Sequence, residues 1–135
     1  MTFGGANYLA ILVAAIAAYL AGAIYYYWLG PVWVKAARIK PEDAKMSLAL
    51  MITGFLCELV MAWVMAGVIG HLGQGQVTIG HGLISGFLLW LGFIATTQMV
   101  NHRYQGFGWN LTLIDSLHWL IVALLMGGII GAFGV

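Results

Sequence analysis

Residues 111–133 read LTLIDSLHWLIVALLMGGIIGAF, a stretch whose only charged residue is Asp115. A helix rises 1.5 Å per residue, so roughly 20 apolar residues span the hydrocarbon core of a bilayer. Three other stretches are about as long and as apolar: residues 8–28, 47–69 and 79–100. None of the four alternates apolar and polar residues as a strand of a membrane barrel does. We therefore predict an all-α fold, an integral membrane four-helix bundle.

The composition of the 135-residue chain excludes a soluble protein. Hydrophobic residues make up 63% of the chain and charged residues 7%, whereas soluble domains carry about 25% charged residues. The mean hydropathy of +0.99 would leave large apolar patches facing water. The formal net charge of +1 is too small for a nucleic-acid-binding surface. We therefore expect a single four-span domain, residues 1–135, surrounded by membrane lipids and without a nucleic-acid partner.

The three connections between the spans predict their direction. Each connection is short and contains helix-breaking residues, such as Gly30 and Pro31 after the first span, so consecutive helices are expected to lie antiparallel. All Lys and Arg residues fall in the first and third connections, and positively charged loops face the cytoplasm. We therefore expect both termini on the outer side of a bacterial inner membrane. The residues that carry this prediction are Lys35, Arg38, Lys40, Lys45 and Arg103.

Two carboxylates lie within the spans and are the candidates for chemistry. Glu58 is in the second span, and Asp115 in the fourth span precedes His118 by three residues. A charged side chain at the bilayer centre costs at least about 2.5–3.5 kcal/mol, so these groups are expected to face the protein interior or water. Residues three apart lie on one face of a helix, so Asp115 and His118 are expected to share a hydrogen bond.

The helix rise places these three side chains in the cytoplasmic half of the bundle. Glu58 is expected roughly 16 Å from the inner end of its helix, and Asp115 and His118 roughly 6–11 Å from theirs. Gln98 and Asn101 reach the same half from the third span. The sequence therefore favours a site that binds or transports a proton, a cation or a small polar ligand. In an alternative interpretation, Asp115 only stabilises the positive N-terminus of the fourth helix, with His118 as its partner.

The sequence gives little indication of a metal site or of an enzyme. Asp115 and His118 match half of a two-metal motif of helical bundles, and the other half would have to come from another chain, so no metal site is expected. Nucleophile motifs and phosphate-binding glycine loops are absent, so we expect neither an enzyme nor a cofactor. Cys57, the single cysteine, is expected to be a small buried filler.

The residues at the ends of the spans are interpreted as interfacial. Aromatic side chains anchor membrane proteins at the boundary with water, and a histidine there is ordinarily solvated. Together with Arg103, His102 is interpreted as a contact for anionic lipid headgroups. The residues interpreted in this way are Tyr25, Tyr26, Tyr27, Trp28, Trp33, His71, His81, Tyr104, Phe107 and Trp109.

Small residues recur at four-residue spacing in all four spans. Such faces let helix backbones approach closely in lipid. Their number indicates a homo-oligomer or a complex with another membrane protein, and it leaves open an alternative function as a non-catalytic accessory or scaffolding subunit. The faces include Ala10, Ala14, Ala18 and Gly22, then Gly54, Ala62, Ala66 and Gly70, and the pairs Gly82 with Gly86 and Gly127 with Gly131.

Four short motifs, spread over nearly the whole chain, resemble a known family. They are NYLA at residues 7–10, GAIYY at residues 22–26, LWLGF at residues 89–93 and HWL at residues 118–120. The chain resembles the small bacterial four-span membrane family called domain of unknown function 1761. This resemblance implies a four-span membrane protein, and it implies no activity and no functional residues.

Overall fold

A computed structural model describes residues 2–3 and 6–134 of the chain. Two short antiparallel strands, β1 (Thr2–Phe3) and β2 (Ala6–Asn7), precede the helices. Four helices are long and apolar enough to cross a membrane, which confirms the predicted helical class and span count. Their elements are α1 (Tyr8–Ala36), α2 (Leu48–Gly70), α3 (Ile79–Leu89) continued by a π segment (Trp90–Ala95) and α4 (Thr96–Tyr104), and α5 (Trp109–Phe133).

Side-chain caps fix where three of the helices begin. The Asn7 side chain accepts hydrogen bonds from the first turn of α1, and Ser47 and Thr78 do the same for α2 and α3. A polar cap satisfies backbone N–H groups that have no partner within the helix. The observed starts of these helices therefore lie within one residue of the predicted ones.

The end of α1 differs from the prediction. Gly30 and Pro31 were expected to end the first span after residue 28, but the helix continues through Pro31 to Ala36. Proline lacks an N–H group and disfavours a helix interior. Here the turns beyond it are held by tertiary contacts, since Trp33 and Ala36 pack in one apolar cluster with Leu111 of α5.

The contact between α3 and α5 is made by backbone atoms. A methyl group at Gly82 would overlap the carbonyl of Gly127, and one at Gly86 would overlap the carbonyl of Ala123. Gly131 in turn touches the backbone before α3. Glycine at these positions therefore permits close approach of the two backbones.

The other small-residue faces are also used inside the chain. Ala10, Ala14, Ala18 and Gly22 are all buried, as are Ala62 and Ala66 of α2. They form the core together with side chains of α5 such as Val122 and Met126, which are fully buried. These small residues are therefore used within the chain, whereas Gly54 and Gly70 of α2 are only half-buried.

The surface of the bundle is apolar over most of its height, as lipid contact requires. Many large hydrophobic side chains are exposed, for example Leu20, Ile24 and Phe93. Cys57 is exposed as well, so the prediction of a buried cysteine was wrong. The reason lies in the helix period of about 100° per residue, because the adjacent Glu58 takes the inward position.

The π segment separates α3 from α4 in the third span. A π turn contains one residue more than an α turn and is often found near functional sites. At its start, the Trp90 indole Nε1 donates to the Ser116 carbonyl of α5 at 2.7 Å. This bond fixes the segment beside the polar part of α5.

Candidate functional site

The Asp115 carboxylate lies where three helices meet. The Tyr26 hydroxyl of α1 donates to its Oδ1 at 2.7 Å, and His102 Nε2 of α4 lies 4.0 Å from its Oδ2. The Asp115 and His102 side chains are 18% and 12% exposed. Beside them, the Tyr25 hydroxyl donates to the Ile114 carbonyl at 2.6 Å. Tyr25 and Tyr26 therefore hydrogen-bond within the protein, a role that their interpretation as interfacial anchors did not include.

Asp115 does not cap its helix. The alternative interpretation, in which its charge only stabilises the N-terminus of the fourth span, does not fit, because α5 begins at Trp109 with Gly108 as its cap and has no acidic residue in its first turn. Asp115 comes six residues after Trp109, beyond the reach of the terminal N–H groups. Its partners are side chains of the other helices instead.

A tight turn brings His102 to Asp115. Gly106 has a φ of 76°, and the Phe107 N–H donates to the His102 carbonyl at 2.8 Å, a helix-ending pattern that suits glycine. The chain then returns as α5, with Thr112 opposite His102. The distance from His102 Nδ1 to Thr112 Oγ1 is 2.8 Å. His102 was interpreted as interfacial, and this close packing corrects that interpretation.

Arg103 also binds Thr112. Its Nη2 donates to Thr112 Oγ1 at 2.8 Å and to the carbonyls of Phe107 and Gly108 at 3.1 and 2.9 Å. Arginine is always a donor, so the Thr112 oxygen accepts from it. The Thr112 hydroxyl can still either donate to a neutral His102 Nδ1 or accept from a protonated one. His102 can therefore change its protonation state without losing this bond.

His118 lies in an aromatic cage. Its ring centroid is 4.8 Å from that of Tyr26, 5.6 Å from that of Tyr25 and 4.6 Å from that of Trp119. The fourth side is closed by Gly22, where a methyl group would come within 2.7 Å of His118 Nε2. The Nδ1 atom is buried and has no hydrogen-bond partner among the described residues.

The described residues include no hydrogen bond between Asp115 and His118, although one was expected. The two side chains are connected through Tyr26, whose hydroxyl bonds Asp115 and whose ring touches His118. We name the residues Tyr26, His102, Thr112, Asp115 and His118 the Asp115 cluster.

Glu58 stands apart from this cluster. It is 5% exposed on the inward face of α2, and its Oε1 has no hydrogen-bond partner in the described part of the chain. No hydrogen bond connects it with Asp115 or His118 across residues 2–3 and 6–134. Its surroundings are apolar, because Ala62 and Phe55 on the same face belong to the core.

Gln98 and Asn101 differ in their placement. The Ser116 hydroxyl donates to Gln98 Oε1 at 2.7 Å, so Gln98 supports α5 next to Asp115 without touching the carboxylate. Asn101 is exposed, and its side chain makes no hydrogen bond within the described ranges. Over the same ranges, no group of three or more His, Cys, Asp and Glu residues is arranged to hold a metal ion.

The sequence interpretation missed Tyr26, His102 and Thr112. All three are near span ends, where tyrosine and histidine are usual at the membrane boundary. Asp115 and Thr112 are three residues apart, so they share a helix face. This spacing was the one sequence signal that could have indicated a larger polar site at the start of the fourth span.

Comparisons with known proteins give one match. The family described as "Protein of unknown function (DUF1761)" matches residues 9–131. No curated protein and no solved structure matches the chain. The family match covers all four membrane-length helices nearly completely, and it confirms the resemblance seen in the short sequence motifs. The chain therefore belongs to the DUF1761 family.

Proposed function

We propose that this membrane protein binds protons at the Asp115 cluster and conducts them across the membrane by way of His118 and Glu58. The observation that carries the proposal is the hydrogen-bonded arrangement of Asp115 with Tyr26 and of His102 with Thr112. Carboxylate, imidazole and hydroxyl groups at such distances are the usual components of proton relays in membrane proteins.

A proton suits the cluster better than a cation or a small polar ligand. Tyr26 with Asp115 and His102 with Thr112 are bonded at 2.7 and 2.8 Å, so an ion or a ligand would have to displace these bonds. His102 Nε2 and Asp115 Oδ2 lie 4.0 Å apart, which leaves little room between them. A proton needs no such space. The Thr112 hydroxyl can reverse its role when His102 gains or loses a proton, so the network stays bonded in both states.

His118 is the next acceptor in the proposed path. Its buried Nδ1 has no partner among the described residues, and the rings of Tyr25, Tyr26 and Trp119 surround it. The Tyr26 hydroxyl donates to Asp115 and its ring packs on His118, so Tyr26 positions the two acceptors beside each other.

Glu58 is the proposed acceptor on the second helix. Its carboxyl group is buried among apolar residues, and its Oε1 lacks a partner in the described part of the chain. Ionisable residues at this depth usually mark an ion or proton pathway. Gly22 of α1 lies beside His118, and Tyr19, one turn earlier on α1, packs on Phe55 of α2. Phe55 shares a helix face with Glu58, so we place Glu58 beyond His118 in the path.

Proton flux into vesicles tests this function. The purified protein is reconstituted into liposomes that contain a pH-sensitive dye, and a potassium gradient with valinomycin drives proton entry. We expect wild-type protein to acidify the lumen, and Asp115→Asn and His102→Gln to reduce the rate to that of protein-free vesicles. The amide oxygen that Asp115→Asn introduces can still accept the Tyr26 hydrogen bond, so this variant removes the titratable group and retains the contact.

Matched controls come from polar residues outside the cluster. His81 lies at the other end of the third span, where its Nδ1 is 2.6 Å from the Gln76 carbonyl, and Glu42 is exposed in the first connection. His81→Gln and Glu42→Gln should keep the wild-type rate. Equal rates for Asp115→Asn and wild type would refute the proposal and leave the cluster as a structural connection between helices.

We also propose the orientation and location that the charges favour. Consecutive spans lie antiparallel in a bacterial inner membrane, with the Lys- and Arg-bearing connections in the cytoplasm and both termini outside. Single cysteines at Gln74 and Lys40, introduced with Cys57→Ser, test this orientation. A membrane-impermeant maleimide added to intact cells should label position 74 and leave position 40 unlabelled.

A homo-oligomer or a complex with another membrane protein stays a proposal. Most small residues of the predicted faces are buried within the chain, so its interface would use outward-facing apolar residues together with the half-buried Gly54 and Gly70. Light scattering of the purified protein measures the number of copies. A foreign subunit that copurifies in fixed proportion would favour the accessory role over proton binding.

A further inference from the structure

An apolar groove runs along the side of the bundle between the third span and α5. Its volume is about 360 Å³, within the range of ligand pockets. It is lined by Trp90, Met99, Trp109, Leu113 and Leu117 among others. Eight residues separate Trp109 from Leu117, so the groove extends roughly 12 Å along α5. A groove of this length and lining fits an alkyl chain.

The groove opens toward the lipid. Leu113 is 61% exposed, and Met99 and Leu117 are 40% and 42% exposed, although they line its walls. In the hydrocarbon core an apolar depression of this size is filled by the surrounding acyl chains, because water gains no hydrogen bonds there.

A cation without a counter-charge lies at one end of the groove. The Arg103 guanidinium stacks on the Trp109 ring at 3.7 Å and donates to Thr112, and both of these residues line the groove. The three acceptors that Arg103 binds are uncharged, and its Nη1 is buried without a hydrogen-bond partner among the described residues. Across the same part of the chain, no carboxylate forms an ion pair with it.

This end of the bundle is positive as a whole. The four cations that follow or end α1 lie here, because Ala36 packs against Leu111 at the start of α5. With Arg103 they make five cations against three carboxylates, Glu42, Asp43 and Asp115. An excess of Lys and Arg at the membrane surface attracts anionic lipids.

We infer that Arg103 and the groove bind one anionic phospholipid, with the phosphate beside the guanidinium and an acyl chain against Met99 and Leu113. Guanidinium groups bind phosphate by charge-assisted hydrogen bonds, which would supply the acceptor that Nη1 lacks. The Trp109 ring that covers the guanidinium is 63% exposed, so its movement toward lipid opens the nitrogen to the headgroup.

Native mass spectrometry of the delipidated protein tests this site. The protein in detergent is titrated with phosphatidylglycerol and, separately, with phosphatidylcholine of the same acyl chains. We expect the first adduct of phosphatidylglycerol to form at about tenfold lower concentration. Arg103→Gln should remove this preference. Met99→Trp, which fills the groove, should weaken phosphatidylglycerol binding while Arg103 is still present.

Arg38→Gln is the matched control, since Arg38 lies at the same end and stacks on Phe107 at 4.4 Å, away from the groove. It should keep the preference. Equal affinity for both lipids in wild type, or an unchanged preference in Arg103→Gln, overturns the inference. Competition by inorganic phosphate alone would overturn it too, because it would show an anion site that needs no acyl chain. If Arg103→Gln does not fold, the wild-type lipid comparison and Met99→Trp decide the question.

Discussion

Gly82→Ala tests whether backbone contact between α3 and α5 holds the bundle together. A methyl group at this position would overlap the carbonyl oxygen of Gly127 and lie 2.7 Å from its carbon. Ordinary carbon contacts are about 3.5–4.0 Å, so the helices would have to separate by about 1 Å. The obstacle is backbone, which cannot rotate away as a side chain can.

The expected cost follows from two opposing effects. Overpacking of a tight contact costs about 1–3 kcal/mol, and a rigid backbone obstacle favours the upper value. Alanine is a better helix former than glycine by about 1 kcal/mol, which offsets part of this cost. We therefore expect Gly82→Ala to lower the free energy of unfolding by about 2 kcal/mol, which is roughly a 30-fold change in the equilibrium constant.

Reversible unfolding in mixed micelles of mild detergent and dodecyl sulfate measures this change, followed by circular dichroism. Gly67→Ala in α2 is the control, because a methyl group there would meet no atom within 4 Å. Only the gain in helix propensity remains for the control, up to about 1 kcal/mol. If Gly82→Ala is as stable as Gly67→Ala, the two helices are not in backbone contact and the reasoning is wrong.

Three further predictions use the same unfolding assay. Tyr26→Phe should cost about 1.5 kcal/mol, since it removes a hydrogen bond to the Asp115 carboxylate, and an equal cost in a protein that already carries Asp115→Ala would contradict this cause. Gly22→Ala should cost about 1–3 kcal/mol, because its methyl group displaces the His118 ring, and His118→Ala should restore tolerance of the methyl group. Glu58→Met should stabilise the protein by about 1–2 kcal/mol, because it removes a buried carboxyl oxygen without a partner among the described residues; a loss of stability would show that Glu58 is bonded.

The spans could be predicted from the sequence because a membrane-spanning helix is specified by the length and hydropathy of one continuous segment. Backbone groups must bond within the segment, so length and hydropathy suffice to find helices. The starts were accurate because Asn7, Ser47 and Thr78 are local caps. The end of α1 was not, because its last turns depend on the packing of Trp33 and Ala36 against Leu111 of α5.

The residues of the candidate site could also be predicted only in part. Asp115 and His118 could be found because polar residues in an apolar helix are costly and therefore conspicuous. Their partners Tyr26 and His102 could not be found in this way, since each is an ordinary residue at a membrane boundary. What brings them to Asp115 is the rotation of α1 and α4 about their axes, and hydropathy carries no information about it.

The π segment has a consequence for the alignment of the third span. Because it holds one residue more for the same rotation, the residues after Ala95 lie about 100° behind their positions in a uniform α-helix. A uniform α-helix over the same residues would direct His102 elsewhere on the circumference, away from the carboxylate of Asp115. The π segment thus absorbs one surplus residue locally, and removing one position between Trp90 and Ala95 would leave a regular α-helix in which His102 still points to Asp115.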